Sequence, residues 1–168
     1  MDSNSNLINF KKSVIMNSDK IIPSLWFSTE GGNISKVIEY YKTIFSNDFQ
    51  EGQIIPLGET PSGNTEICEV KIFGQKYSFM NTEIEHQRFN DAFALTINCD
   101  DQNEIDRYWN YFTCDGEEVE CGWCIDKYGL RWQVLPKNMG ELMSKPNAME
   151  VMMKQKKIVI EEYLSSTI

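Results

Sequence analysis

The stretch CGWCIDKYGLRWQVLP, Cys121 to Pro136, decides the fold. It holds a short apolar run, a turn at Asp126-Lys127-Tyr128-Gly129, and a second apolar run that Pro136 closes. That pattern predicts a β-hairpin, two half-buried strands joined by a loop whose glycine takes positive φ without a Cβ clash. Along the second strand Leu130, Trp132 and Val134 alternate with Arg131, Gln133 and Leu135. Successive side chains of a strand point to opposite faces, so one face is uniformly apolar and the other carries a cation, an amide and an aliphatic group. Gln133 is the residue expected to look into a ligand site.

Working outward, the strand before this hairpin is short, near Glu117–Glu120, and a helix precedes it. Ile105, Tyr108, Trp109 and Phe112 fall on one helical face, and Asp100-Asp101 sit where an acidic pair suits the positive end of the helix dipole. Ala92 to Asn98 alternates as a strand, with Phe93, Leu95 and Ile97 on its apolar side. Strand, helix and three strands make a βαβββ unit. The same order stands earlier in the chain: a strand over Ile21–Phe27, then a helix with Ile34, Val37, Ile38, Tyr41, Ile44 and Phe45 on one face and Asn33 as N-cap, then strands near Phe49–Glu59, Glu66–Phe73 and Lys76–Asn81. Such a unit leaves an apolar sheet face exposed until a partner covers it, so its repetition is the main organisational fact.

The expected organisation is a flexible N-terminal arm over 1–20, in which Met16 is a second candidate start, a first module over 21–82, a second over 89–136, and a C-terminal helical extension over 137–168. Residues 21–168 form one α+β domain. In the extension Pro146-Asn147 interrupts, and Ala148 to Ser165 is expected to run as a helix placing Met149, Met152, Met153, Ile160, Tyr163 and Leu164 on one packing face.

The chain of 168 residues is long enough to bury roughly 70% of its unfolded surface. Its net charge of -9 argues against a nucleic-acid backbone as partner. No apolar run approaches the ~20 residues that cross a bilayer, and the first 20 residues lack the apolar core of an export signal. Five cysteines, an odd number, suit free thiols in a reduced, cytoplasmic protein.

Two constellations invite chemistry and have plainer readings. Cys121-Gly122-Trp123-Cys124 is a CxxC, but a redox pair of this kind stands at a helix N-terminus and a structural zinc needs two further ligands. Here the pair falls in an expected strand, as two half-buried cysteines. His86, the single histidine, sits in the polar run between the modules and reads as solvent-facing.

Several stretches resemble one family. Leu25-Trp26-Phe27, Val37 to Phe45, Gly58-Glu59-Thr60-Pro61-Ser62-Gly63, Asp106-Arg107-Tyr108-Trp109, Cys121-Gly122-Trp123, Met152-Met153-Lys154 and above all Asp126-Lys127-Tyr128-Gly129 with Trp132-Gln133 are similar to the PhnB-like branch of the glyoxalase/bleomycin resistance/vicinal-oxygen-chelate superfamily. Members of this branch carry the label 3-demethylubiquinone methyltransferase. The resemblance implies two βαβββ modules whose curved mixed sheets form a cup, and a homodimer. Enzymes of the wider superfamily hold a divalent metal in that cup. Carried over to this chain, their ligand positions fall at or near Ile22, Ala92, the Met80-Asn81 pair, and Gln133. A divalent ion needs several oxygen or nitrogen donors, preferably anionic or imidazole, so no metal and no cofactor is expected. Gly31-Gly32 does not make the Gly-rich fingerprint of a nucleotide methyl donor.

Strand phase then gives the cup-facing candidates: Ser24, Trp26, Asn81, Thr96, Asn98, Arg131 and Gln133. The lining suits a small planar or anionic organic ligand. The expected function is metal-independent binding of such a molecule. The alternatives are a metal-dependent lyase or dioxygenase-type enzyme with displaced ligands, and a non-catalytic structural or regulatory dimer.

Overall fold

A computed structural model describes residues 20–29, 33–83 and 88–165. Residues 1–19 of the expected arm, His86 and Gly31-Gly32 lie outside the described residues.

The first module runs β1 (Ser24–Ser28), α1 (Ile34–Phe45), a 3-10 turn at Ser46–Asp48, β2 (Phe49–Thr60), β3 (Gly63–Ile72) and β4 (Gln75–Thr82). The second runs β5 (Ala94–Cys99), α2 (Gln102–Cys114), β6 (Glu117–Glu118), β7 (Trp123–Ile125) and β8 (Arg131–Pro136). Each forms a four-stranded sheet, in the orders β1-β4-β3-β2 and β5-β8-β7-β6. The two orders are the same topology twice. In both sheets the first and last strands pair parallel and the remaining pairs are antiparallel. The α+β class and the repeat are therefore as the sequence indicates.

Both helices start on local chemistry. Asn33 Oδ1 accepts the Ser35 N–H at 2.8 Å, and the Ile34 N–H reaches Glu66 Oε2 on β3 at 3.1 Å. At α2 Asp101 Oδ1 accepts the Glu104 N–H at 2.9 Å while Glu104 Oε2 accepts the Asp100 N–H at 2.7 Å, a reciprocal cap. The apolar faces predicted from spacing, Ile34 to Phe45 and Ile105 to Phe112, are buried.

The modules share one core. Phe45 packs against Tyr108, Phe112 and Trp132, and Trp132 stacks on Phe112 with centroids 4.5 Å apart. Phe27 of β1 meets Tyr128 of the hairpin turn at 5.8 Å. Burying an aromatic side chain contributes on the order of 2–3 kcal/mol, so this layer is the main cohesion between the two halves.

The extension consists of α3 (Met139–Met143), α4 (Ala148–Met153) and α5 (Ile160–Ser165). Leu142, Ala148, Ile158 and Tyr163 form a second small core, with Leu135 of β8 packed against it.

Five expectations are corrected. Ile21 and Ile22 precede β1 rather than starting it, and Ile21 is 83% exposed. Phe93 precedes β5 and is exposed, because the chain is still in the Asp91-Ala92 turn and the strand alternation has not begun. Cys121-Gly122 is a turn at φ 60° and 81°, not strand, so only Trp123 to Ile125 pair with β8. The run from Ala148 to Ser165 is two helices, interrupted where Gln155 Oε1 accepts the Val159 N–H. As a result Met149, Met153 and Leu164 do not share a buried face with Tyr163 but are exposed.

Candidate functional site

The turn of the hairpin is a buried junction. Asp126 is 2% exposed, and its carboxylate accepts four hydrogen bonds. Oδ1 accepts the Tyr128 and Leu130 N–H groups at 2.9 and 3.1 Å, which closes the turn. Oδ2 accepts the Tyr41 hydroxyl at 2.6 Å and Trp132 Nε1–H at 2.8 Å, which ties α1 of the first module to β8 of the second. Burial pushes the Asp126 carboxyl above the usual carboxylate range, and the four donors hold that shift back. The same burial, with Asp126 alongside, pushes Tyr41 well above the ordinary phenol range. Asp126 is thus a positioning residue that fixes where β8 sits.

On β8 the alternation holds. Trp132 and Val134 are buried, while Arg131, Gln133 and Leu135 lie half-buried on the open face. The register sets Ala94, Thr96 and Asn98 of β5 beside Arg131, Gln133 and Leu135 respectively, on that same face. Thr96 Oγ1–H donates to Gln133 Oε1 at 3.4 Å, and Trp123 of β7 flanks Gln133 from the other side. Arg131 is held by Asp91 Oδ1 at 2.9 Å and by the Gly129 carbonyl at 2.7 Å. The extension occupies the Leu135 end of this face.

On the first sheet Ser24, Trp26 and Ser28 are exposed while Leu25 and Phe27 are buried. Trp26 pairs with Met80, Met80 with Ile67, and Ile67 with Ile55, so one apolar row crosses all four strands on the open face. Trp26 is 43% exposed and Ile55 52%. A groove of about 530 Å³ lies beside the hairpin turn, where Ser28, Phe89, Lys127, Tyr128 and Arg131 help to line it.

Of the seven candidates, the structure brings Thr96, Gln133 and Arg131 together, sets Asn98 beyond them, and places Ser24 and Trp26 on the other open face. Asn81 does not join them. It is on the opposite face of β4 from Met80, fully buried, where its Oδ1 accepts the Glu66 N–H at 2.7 Å and its amide donates to the Asn64 carbonyl at 3.1 Å. Sequence reasoning grouped Asn81 with Met80 because both end the strand, yet only one of two neighbours can face the open side. Trp123, Ile67 and Ile55 on the open faces are not among the sequence candidates, and Met80 is named there only with Asn81; cross-strand register, not local pattern, aligns them.

The donor set does not fit a hard divalent ion. Gln133 and Thr96 offer neutral oxygens, Ile22 and Ala92 offer no side-chain donor, and Met80 offers only a thioether. Among the described residues no three His, Cys, Asp or Glu side chains gather into a metal-binding group. A nucleotide methyl donor fits no better: each sheet has a single parallel pair and not a doubly wound parallel core.

Comparison with known proteins agrees with this architecture. The model of the 3-demethylubiquinone-9 3-methyltransferase family matches residues 19–135. The PhnB protein of Bacillus cereus has a similar structure, with a TM-score of 0.59 and 23% identity, covering 70% of this chain and 98% of that one. The fosfomycin resistance protein FosX of Listeria monocytogenes is similar at a TM-score of 0.50 and 15% identity, covering 72% of this chain and 93% of its own. No curated protein sequence matches the chain. Identities this low show the fold alone. The family match, which spans most of the chain, shows more: this protein belongs to the 3-demethylubiquinone-9 3-methyltransferase (PhnB-like) family, within the glyoxalase fold.

Proposed function

We propose that this PhnB-like protein binds a small organic molecule on the open sheet face without a metal ion, as a cytoplasmic homodimer. One observation carries the reading. The position where the superfamily's enzymes carry a carboxylate is the neutral Gln133, already hydrogen-bonded to Thr96 and flanked by Trp123. An amide with one oxygen and two N–H donors, beside a hydroxyl and an indole, suits a planar polar ligand better than a cation. Arg131 and Asn98 extend the polar patch, while Trp26 and Ser24 lie on the open face of the first sheet. The row Trp26–Met80–Ile67–Ile55 supports a second copy as its cover, since an apolar stripe this long across a sheet is a recognition surface more often than bare surface. The five cysteines, all free, are consistent with a reducing compartment.

The test is a thermal-shift screen of small aromatic and carboxylic compounds with and without added divalent ions, together with metal analysis of the purified protein. The reading expects ligands that raise the melting temperature equally in chelator and in metal. A stoichiometric divalent ion in the purified protein overturns it in favour of a metal-dependent member with displaced ligands. If no compound shifts the melting temperature, a structural dimer remains.

A further inference from the structure

The five cysteines are not alike. Cys68, Cys99 and Cys124 are buried, Cys114 is exposed, and Cys121 is half-buried at the edge of the extension. Burial pushes the Cys99 and Cys124 thiols up to about 12, so these are inert packing groups. Cys121 differs because its sulfur touches another sulfur: Sγ lies 4.0 Å from Met153 Sδ on α4. Main chain fixes this approach. The Cys121 and Gly122 N–H groups donate to the Gln155 and Lys156 carbonyls at 2.8 and 2.7 Å, which clamps the turn against the end of α4. Met153 is 65% exposed and Met149, four residues before it on the same helix face, is 61% exposed. Neither thioether is held in place by core packing.

We propose that Cys121 and Met153, with Met149 as a third donor, form a binding site for a soft monovalent ion of the Cu(I) class. At the ~2.3 Å typical of a metal–thiolate bond, two sulfurs 4.0 Å apart subtend about 120° at the ion, the angle of trigonal coordination. Thiolate and thioether donors select Cu(I), whereas hard divalent ions want oxygen donors that this pair lacks. Methionine's unbranched chain lets Met149 swing one helical turn to close the third position, and the exposure of both thioethers gives the ion a path in. Binding involves no change of oxidation state: the ion arrives as Cu(I), an S–Cu bond forms at Cys121, and the thiol proton leaves to solvent. The site uses none of the open-face candidates.

The reduced full chain, in oxygen-free buffer, is titrated against the coloured Cu(I) complex of bicinchoninate. Wild type is expected to withdraw one equivalent of Cu(I). Cys121→Ser abolishes the withdrawal, Met153→Leu weakens it by at least roughly 10-fold, and Met149→Leu weakens it less. Cys114→Ser leaves it unchanged. Met153→Leu alters an exposed residue, so its loss of affinity is read on a folded protein, confirmed by an unchanged melting curve. The proposal fails if wild type withdraws no more Cu(I) than Cys121→Ser. It fails equally if the withdrawn equivalent follows Cys114, or if Met153→Leu binds as tightly as wild type.

Discussion

The two modules share one strand order but close their sheets by different means. In the first, β2, β3 and β4 span 12, 10 and 8 residues, and long hairpins carry the sheet. In the second, β6 and β7 are 2 and 3 residues long. The missing ladder is replaced from elsewhere in the chain. The extension supplies carbonyls of Gln155 and Lys156 to the Cys121-Gly122 turn, and Trp109 Nε1–H donates to Glu118 Oε1 at 3.1 Å to hold the short β6. The turns differ in the same way. Phe73-Gly74 joins β3 to β4 in two residues, whereas Asp126 to Leu130 joins β7 to β8 around a buried carboxylate. A repeat whose strands have shortened keeps its topology when tertiary contacts satisfy the backbone that the ladder no longer pairs.

The comparison predicts that the second module's junction is the more fragile. Trp132→Ala is expected to cost about 3–5 kcal/mol in denaturant melts, through lost packing on Phe112, Phe45 and Tyr41 and the loss of one of the two donors to Asp126 Oδ2. A loss below about 1 kcal/mol would place this ring outside the core and break the comparison.

Asp126→Ala comes next, at about 3 kcal/mol, since it strands the Tyr41 hydroxyl, the Trp132 indole and two backbone donors. The pH dependence is the sharper measurement. The folded carboxyl titrates above its unfolded value, so between the two values the folded chain binds the extra proton and stability falls as pH rises. The contribution is fully present below the ordinary carboxylate value and is lost as pH rises through the raised one. Stability of wild type relative to Asp126→Asn should therefore decline from acid to neutral pH. A difference that grows instead would mean that the four donors outweigh the burial.

How much of this was legible follows from range. Alternation over six residues was enough to phase β8 and β5, so Trp132 and Gln133 were set on their proper faces from sequence. The Asp126 junction was not legible, because its partner Tyr41 is 85 residues away and nothing local marks a turn carboxylate as buried. The Asp-Lys-Tyr-Gly run carries the family resemblance, and its first residue ties the two modules together. Phe93 and Cys121 were misplaced for one reason: hydrophobic pattern extends a strand past the residue where turn geometry ends it. Asn81 differs from expectation because the carried-over position spans two neighbouring strand residues of which only one faces the open side, and the structure uses Asn81 to clamp β3.

Glycine tests the difference between the modules with one substitution made twice. Gly122 and Gly58 both have positive φ, at 81° and 75°. An added Cβ at Gly122 would meet Ile158, Leu135 and the Val134 carbonyl at 3.0 Å, whereas at Gly58 nothing lies within 4 Å. Gly58→Ala should cost about 1 kcal/mol, the backbone term alone. Gly122→Ala should cost more, about 2–3 kcal/mol, by adding displacement of the extension. Equal losses at the two sites would show that the extension yields freely and does not close the second sheet.

The smallest effect on folding is expected at the first module's open face, and there stability and function separate. Trp26 stands at the head of the row Met80, Ile67 and Ile55, with much of its ring in contact with solvent. Trp26→Ala should cost about 1 kcal/mol or less in chemical melts, because the side chain does not enter the shared core. If this face is where a second copy or a ligand sits, the same substitution should weaken dimerisation in sedimentation experiments or abolish the thermal shift with a bound compound. Trp132→Ala would lower stability first and binding only through it. A Trp26→Ala protein with wild-type association and wild-type ligand response would leave the apolar row as bare surface. The first module's long strands would then serve the fold alone.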